Sequence, residues 1–364
     1  MRTPTASSVL APAKLTVPHP SHIYLLADDL TGACDAAAAF LNAGHSVRVW
    51  FGLKALHSTT ESVQALCTNS RAYAPEQAML AVSHAATGFA GKSKALFFKK
   101  IDSAARGPLA AELLAAYRAL GAEAILVAPS FPAAGRTVRN GILDIQDAAG
   151  QHTQLPLAGL FPPEIQPLIA LIAHPKKIAA ARAAGKFILL CDAVTQADLE
   201  ALARVAADLP NLLYAGSAGL AQAIASLDSA PRNSQPLPRS VRTLIVAGTS
   251  HPVTKLQLDN LVDDAPFAQA LCIHFEANDG ARIRAAFHEF DPQTLILTGG
   301  DTALLAVRAL DAHSSILRGE FAPGIPWGIV QGGIAHGRTI ITKSGGFGSS
   351  TILSEILATL SGQA

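Results

Sequence analysis

The sequence has almost no charge imbalance: 28 basic and 27 acidic side chains among 364 residues leave a formal charge of +1. No run of Lys or Arg exceeds two, so the chain has no electrostatic footprint for nucleic acid or an anionic membrane. Long apolar runs are also missing. Mean hydropathy is +0.31, but the longest charge-free stretch of apolar appearance, 209–227, is broken by Pro210, Asn211, Gly216, Ser217, Gly219 and Gln222. That is a strand, a turn and a helix, not the ~20 continuous apolar residues of a membrane span. The N-terminus has no apolar signal core and is broken by Pro4, Pro12, Pro18 and Pro20; residues 1–21 read as a disordered tail. Cysteine is scarce. Cys34, Cys67, Cys191 and Cys272 form no CxxC pair, which excludes a disulfide framework or a structural zinc site and predicts reduced core thiols in a cytoplasmic protein. The 12 histidines show no HExxH or HxH, so no metal is assigned to side chains alone.

What is present is apolar mass. Half of the residues are hydrophobic, and at ~100 to 200 residues per domain the length predicts two domains. Short β-rich runs alternate with longer Ala/Leu-rich segments of helical spacing, the pattern of a parallel sheet covered by helices. Strands are predicted at 23–27, 47–51, 95–99, 124–128, 187–191, 212–215, 243–247, 271–275, 294–298 and 339–342. Residues 228–240, DSAPRNSQPLPRS, carry three prolines and little apolar content, and read as the linker between domains at 22–227 and 241–364. Residues 144–167 read as a long irregular connection.

Ligands of open parallel sheets collect beyond the carboxyl ends of strands. Asp28 and Asp29 follow the first predicted strand; Lys100, Asp102, Ser103 and Arg106 follow another; Arg136 and Thr137 lie in the loop after a third. Each has a plainer reading. The aspartates are good helix caps, and either cation alone is an ordinary surface charge. Their shared position at strand ends suggests a crevice for a polar anion, with cations clamping a carboxylate and aspartates accepting from hydroxyls. In the C-terminal part, Gly248-Thr249-Ser250, Gly299-Gly300-Asp301-Thr302 and Lys343-Ser344-Gly345-Gly346 stand at three strand-to-helix junctions. Glycine at a tight turn is common on steric grounds, but three such junctions with Lys343 form a cradle for an oligophosphate. Gly91-Lys92-Ser93 is no Walker A motif, because Ala86 stands where the first glycine is required, and neither GxSxG nor GxGxxG occurs.

The ordered segments ADDLTGACD, KKIDSAARG, APSFPAAGRT, GSAGLAQA, TGGDTA, PGIPWG and TKSGGFG resemble the four-carbon acid sugar kinases from His22 to Leu357. The resemblance implies an α/β protein of two Rossmann-like domains with mainly parallel sheets and an interdomain active-site cleft. The N-terminal domain would bind a threonate, erythronate or 3-oxo-tetronate type acid, and the C-terminal domain ATP with Mg²⁺. It implies substrate contacts at Asp28, Asp29, Lys100, Asp102, Ser103 and Arg106, and ATP contacts at Ser250, Gly299, Gly300, Asp301, Thr302 and Gly345. Asp29 is the first candidate for the base and Asp301 the second, with Asp301 alternatively holding Mg²⁺. Where the family reads DSTLRGN, this chain has DSAARGP. That departure motivates a second reading, a binding protein that kept the fold and lost turnover; a serine hydrolase using Ser250 is a third. The partners expected are a sugar acid and ATP, with a homo-oligomer left open. Positive potential is expected to be confined to the crevice, where Lys100, Arg106 and Lys343 meet.

Overall fold

The computed structural model describes residues 20, 22–53, 56–57, 59–92, 95–147, 150–228, 234–248, 251–263, 270–274 and 279–362. The tail expected at 1–21 lies outside the described residues except for Pro20 and the start of the first strand follows at once. Of the expected linker, 229–233 lie outside them.

In chain order the N-terminal part contains β1 (His22–Ala27), α1 (Leu30–Asn42), β2 (Val47–Trp50), β3 (Val63–Cys67), α2 (Pro75–Thr87), β4 (Ala95–Lys100), α3 (Leu109–Leu120), β5 (Ala124–Ala128), β6 (Arg136–Arg139), β7 (Ile142–Gln146), β8 (His152–Pro156), β9 (Ile169–Ile172), α4 (Ile178–Ala183), β10 (Ile188–Cys191), α5 (Gln196–Ala206), β11 (Leu212–Gly216) and α6 (Ala218–Ala225). The C-terminal part contains β12 (Thr243–Ala247), α7 (Pro252–Asp263), β13 (Ala270–His274), α8 (Gly280–Phe290), β14 (Thr294–Thr298), α9 (Gly300–Ala309), β15 (Ser314–Ala322), β16 (Ile325–Gln331), β17 (Thr339–Lys343) and α10 (Ile352–Ser361).

The central strands are continuous apolar runs because both of their faces are covered. β5, β11 and β14 are buried at every position. Strands β2-β3-β1-β4-β11-β5-β10-β9 run parallel to their neighbours, as do β13-β12-β14-β17. Antiparallel β16 and β15 extend the second group, and β15 then pairs antiparallel with β2 through Ser314↔Trp50, Ser315↔Val49 and Ile316↔Arg48. The two parts therefore share one 14-stranded sheet.

Two sequence expectations are corrected. Residues 144–167 are not irregular throughout: β6, β7 and β8 form a separate antiparallel sheet. Of its strand residues only Val138 and Leu143 are buried, so polar side chains hide the apolar alternation. The predicted strands also lack β3, a central strand interrupted by Gln64, and β9, β15 and β16.

Helix α1 lies in the seam between the parts. Twelve of its residues, Leu30 to Leu41, are buried, and its alanines let strands and helices approach closely on several sides. Phe40 on α1 shares one apolar cluster with Leu220, Leu304 and Leu317, which belong to α6, α9 and β15. Emptying such a position typically costs ~3 to 5 kcal/mol. The seam is thus held by packing as well as by the β2–β15 ladder.

Candidate active site

The N-terminal strand ends converge on one guanidinium. Asp28 and Asp29 leave β1, and Arg71 stands four residues beyond β3, where the Ser70 and Arg71 amides donate to the Asp28 carbonyl at 3.1 and 3.4 Å. Arg71 Nε donates to Asp28 Oδ2 at 2.6 Å, and Nη2 donates to Asp28 Oδ1 at 3.1 Å and to Asp29 Oδ1 at 2.7 Å. Its Nη1 lies 3.6 Å from Asp102 Oδ2. Arg106 then grips Asp102 with both arms, Nε to Oδ1 at 2.9 Å and Nη2 to Oδ2 at 2.6 Å. Gly107 makes this approach possible: at φ 88° it passes over Arg71, and a Cβ there would stand 2.9 Å from the Arg71 carbonyl oxygen.

These pairings set the ionisation. Burial alone would raise Asp28, but Arg71, with Lys99 and Lys100, outweighs it and holds the carboxyl below its ordinary value. The same contest at Asp102 is won by Arg106 and Arg71, well below the carboxylate range. Burial works against the Arg71 charge, yet Asp29, Asp28 and Asp102 together raise it. Lys100, buried at the end of β4, donates to the Ile101 carbonyl at 2.9 Å. On the opposite face of β4, Lys99 pairs with Glu112 at 2.8 Å.

Facing this cluster are the C-terminal junctions. Gly299, at φ 94°, caps α9, and Gly300 opens the helix without a Cβ. Asp301 is exposed on the first turn, while Thr302 is buried. After β17, the Lys343 ammonium donates to the carbonyls of Ser344 at 3.1 Å, Gly345 at 3.4 Å and Phe347 at 3.3 Å. Thr254 Oγ1 donates to the Gly345 carbonyl at 2.7 Å, and Gln257 Nε2 to the Phe347 and Ser349 carbonyls at 3.0 and 2.8 Å. The loop carbonyls are thus turned inward; among the described residues the Gly345 and Gly346 amides have no acceptor. Burial pushes Lys343 down to about 8. Its side chain organises the loop from beneath. Thr249 and Ser250 lie outside the described residues, and with them the hydrolase reading.

Asp29 joins the two sides. It caps α1, accepting from the Gly32 amide at 3.1 Å and from Thr31 Oγ1 at 2.8 Å; Ser344 Oγ in turn donates to Thr31 Oγ1 at 3.2 Å. A Cβ on Gly300 would stand 2.5 Å from Asp29 Oδ2. Phe131 and Phe347 approach to 6.3 Å between ring centres. The His251 imidazole, before α7, is held below its ordinary value by burial and then by Lys343 and Arg106, one cation from each side.

Of the expected residues, Asp28, Asp29, Lys100, Asp102 and Arg106 therefore meet Gly300 and the loop after Lys343. Ser103 lies half-buried in the turn between Asp102 and Arg106. Arg136 and Thr137 stand apart in the small sheet: Arg136 donates to the Ala134 carbonyl and, at 3.0 Å, to that of Gln146, and Thr137 pairs with Asp144. The crevice is not a patch of positive charge, because Arg71, Lys100 and Arg106 face Asp28, Asp29 and Asp102. Two residues were missed from sequence. Arg71 follows the unread strand β3. Asp35, the one acid in α1, is pushed up to about 7 by burial, with Lys100 opposing and Glu320 and Asp29 adding to the rise.

A sugar-binding N-terminal domain model matches residues 23–175 and 168–224, and a nucleotide-binding C-terminal domain model matches 277–353. The chain belongs to the four-carbon acid sugar kinase family. As a member of the four-carbon acid sugar kinases it is a phosphotransferase. It is 28% identical to a D-threonate kinase of Bordetella bronchiseptica, over 91% of this chain and 96% of the relative. A D-erythronate kinase of Heliobacterium modesticaldum is 25% identical, over 91% and 95%. A 3-oxo-tetronate kinase of Pseudomonas fluorescens is 24% identical, over 93% and 96%. The crystal structure of a Haemophilus influenzae protein shares the fold, with a TM-score of 0.68 at 19% identity over 93% of this chain and all of that one. Among the described residues no helix is long and apolar enough to cross a membrane.

Proposed function

We propose that this kinase transfers the γ-phosphoryl group of ATP to a hydroxyl of a short sugar acid, with the acid held by the strand ends of 22–227 and the nucleotide by those of 241–364. The observation that carries this reading is the meeting of the two sides at Asp29, which pairs with Arg71 in the acidic cluster, faces Gly300 and is tied through Thr31 to Ser344 in the loop after Lys343. Phosphoryl transfer asks the protein mainly for positioning and neutralisation of charge.

The residues divide that work. Lys100 and Arg106 take the carboxylate of the acid, and Asp28 and Asp102, kept ionised by the arginines, accept from its hydroxyls. Asp29 stands between the two sides and orients the acceptor hydroxyl, taking its proton as the new bond forms. The glycine junctions suit a nucleotide: Gly300 carries no Cβ, and among the described residues the Gly345 and Gly346 amides have no acceptor. Exposed Asp301 is the residue that would meet Mg²⁺ carried on the nucleotide. Bound ATP supplies the phosphoryl group, and its metal offsets the charge of the transferred oxygens.

An ADP-release screen over C3 to C6 sugar acids and their oxo forms, with ATP and Mg²⁺, tests the reading. Turnover of at least one four-carbon acid is expected. Silence across the panel with ATP binding intact contradicts it.

A further inference from the structure

One carboxyl in the seam is neither capped nor paired. Asp35 lies on α1 three residues beyond Gly32 and four beyond Thr31, so it shares a helix face with both. A Cβ on Gly32 would stand 3.0 Å from Lys100 Nζ, and Thr31 accepts from Ser344. Asp35 is 7% exposed, and among the described residues its carboxyl has no hydrogen-bond partner. The charged groups that act on it are Lys100 at the end of β4, Glu320 on β15 and Asp29 at the cap of its own helix. Glu320 gives no relief, since it is an acceptor already engaged by Asn42 Nδ2 and the Gly324 amide, each at 2.8 Å. Neighbouring Cys34 stays neutral, its thiol pushed up to about 12 by burial.

The charge count gives Asp35 its importance. Arg71, Lys100 and Arg106 balance Asp28, Asp29 and Asp102, so the cluster is neutral while Asp35 is protonated. Ionised Asp35 makes the cluster negative by one, beside the ammonium that must receive an anion. A buried carboxylate with no hydrogen bond is costly, and a second anion at Lys100 adds repulsion to that cost.

We propose that Asp35 is a positioning residue that couples anion binding at Lys100 to protonation: the site takes the sugar acid together with one proton from solvent, which forms the O–H bond of Asp35. The identity of the anion rests on the sugar-acid reading; the coupling rests on Asp35, Lys100 and the charge balance. Protonated, Asp35 leaves the Lys100 charge to the incoming carboxylate. Ionised, it competes for that charge. Another titratable group of the cleft is the His251 imidazole, held below its ordinary value by burial and then by Lys343 and Arg106.

The test is calorimetric titration of the full chain with D-threonate, and separately with sulfate, which carries no titratable proton in this range, in buffers of different ionisation enthalpy from pH 6 to 8.5. Wild type is expected to take up about half a proton per anion at pH 7 and nearly one at pH 8, with affinity falling by up to about tenfold per pH unit above 7. Asp35→Asn and Asp35→Ser, compared with wild type by melting temperature, are expected to take up none. Either folded variant is expected to bind about tenfold or more tightly than wild type at pH 8.5. Uptake near zero in wild type, or unchanged uptake in a folded variant, overturns the proposal. So does a failure of both anions to bind at pH 6. Linked uptake with sulfate alone supports the coupling and counts against the sugar-acid reading.

Discussion

The carboxylate of Asp29, which caps a helix of the sugar-binding part, lies 2.5 Å from where a Cβ on Gly300 would stand in the nucleotide-binding part. The helix that opens with Gly300 can reach Asp29 only because that position has no side chain. Gly300→Ala is therefore expected to push the two sides apart. Overpacking of this kind costs ~1 to 3 kcal/mol, and a misplacement of about 1 Å can cost ~100-fold in turnover. ADP-release kinetics alongside melting curves check this: kcat should fall far more than the loss of stability explains. A wild-type kcat in the alanine variant removes Gly300 from the site.

Arg71 is the hub of the acidic cluster, and its removal should expose that. Arg71→Ala leaves Asp28, Asp29 and Asp102 without their shared cation, and breaking such a set costs on the order of 3 kcal/mol. The sign with pH follows from the lowered Asp28 and Asp102 values. Their contribution is present above the unfolded carboxylate range and is lost as pH falls below it. Denaturant unfolding should therefore show a large deficit of the variant at pH 7 that shrinks below about pH 4. A deficit independent of pH contradicts the assignment.

Asp35 has the opposite sign. Its carboxyl is raised from 3.8 to about 7, so the stability it contributes is complete below the unfolded value and is lost as pH rises to about 7. Asp35→Asn cannot lose it. The stability of the variant minus that of wild type should grow between pH 4 and 7 and then level off, by on the order of 4 kcal/mol in all. Denaturant curves at pH 4.5, 6, 7 and 8 measure this difference, and a flat one contradicts the burial argument.

Lys343 is expected to act through its loop. Lys343→Met removes the donor from the Ser344, Gly345 and Phe347 carbonyls. Loss of only ~1 kcal/mol of loop order raises the ATP KM about fivefold, while the KM for the sugar acid should change little. Equal effects on both constants would show that Lys343 serves the whole cleft rather than the nucleotide loop.

Much of this was legible in the sequence where local chemistry decides it. The run IYLLA followed by two aspartates declares a buried strand and a helix cap, and β1 and the capping role of Asp29 follow from it. The strand-end rule also located Lys100, Asp102 and Arg106. Other features depend on distant partners. Arg71 meets Asp28 across 43 positions, and only the pairing of β3 beside β1 brings them together. The β2–β15 ladder that joins the two parts has no local signal, because β15 carries Ser314, Ser315, Arg318 and Glu320 among its apolar residues. The small sheet at 136–156 has a weak local signal for the same reason, since only Val138 and Leu143 of its strand residues are buried. Arg136 looked like a ligand by position, yet its hydrogen bonds go to carbonyls of its own hairpin region.

The most direct test is a comparison of ADP release by wild type and Asp29→Asn over the panel of four-carbon sugar acids, with ATP-induced thermal shift measured on both. Wild type is expected to turn over at least one acid, and the variant to lose about 100-fold or more in kcat while ATP still raises its melting temperature. Turnover in Asp29→Asn equal to wild type would contradict the central role of Asp29.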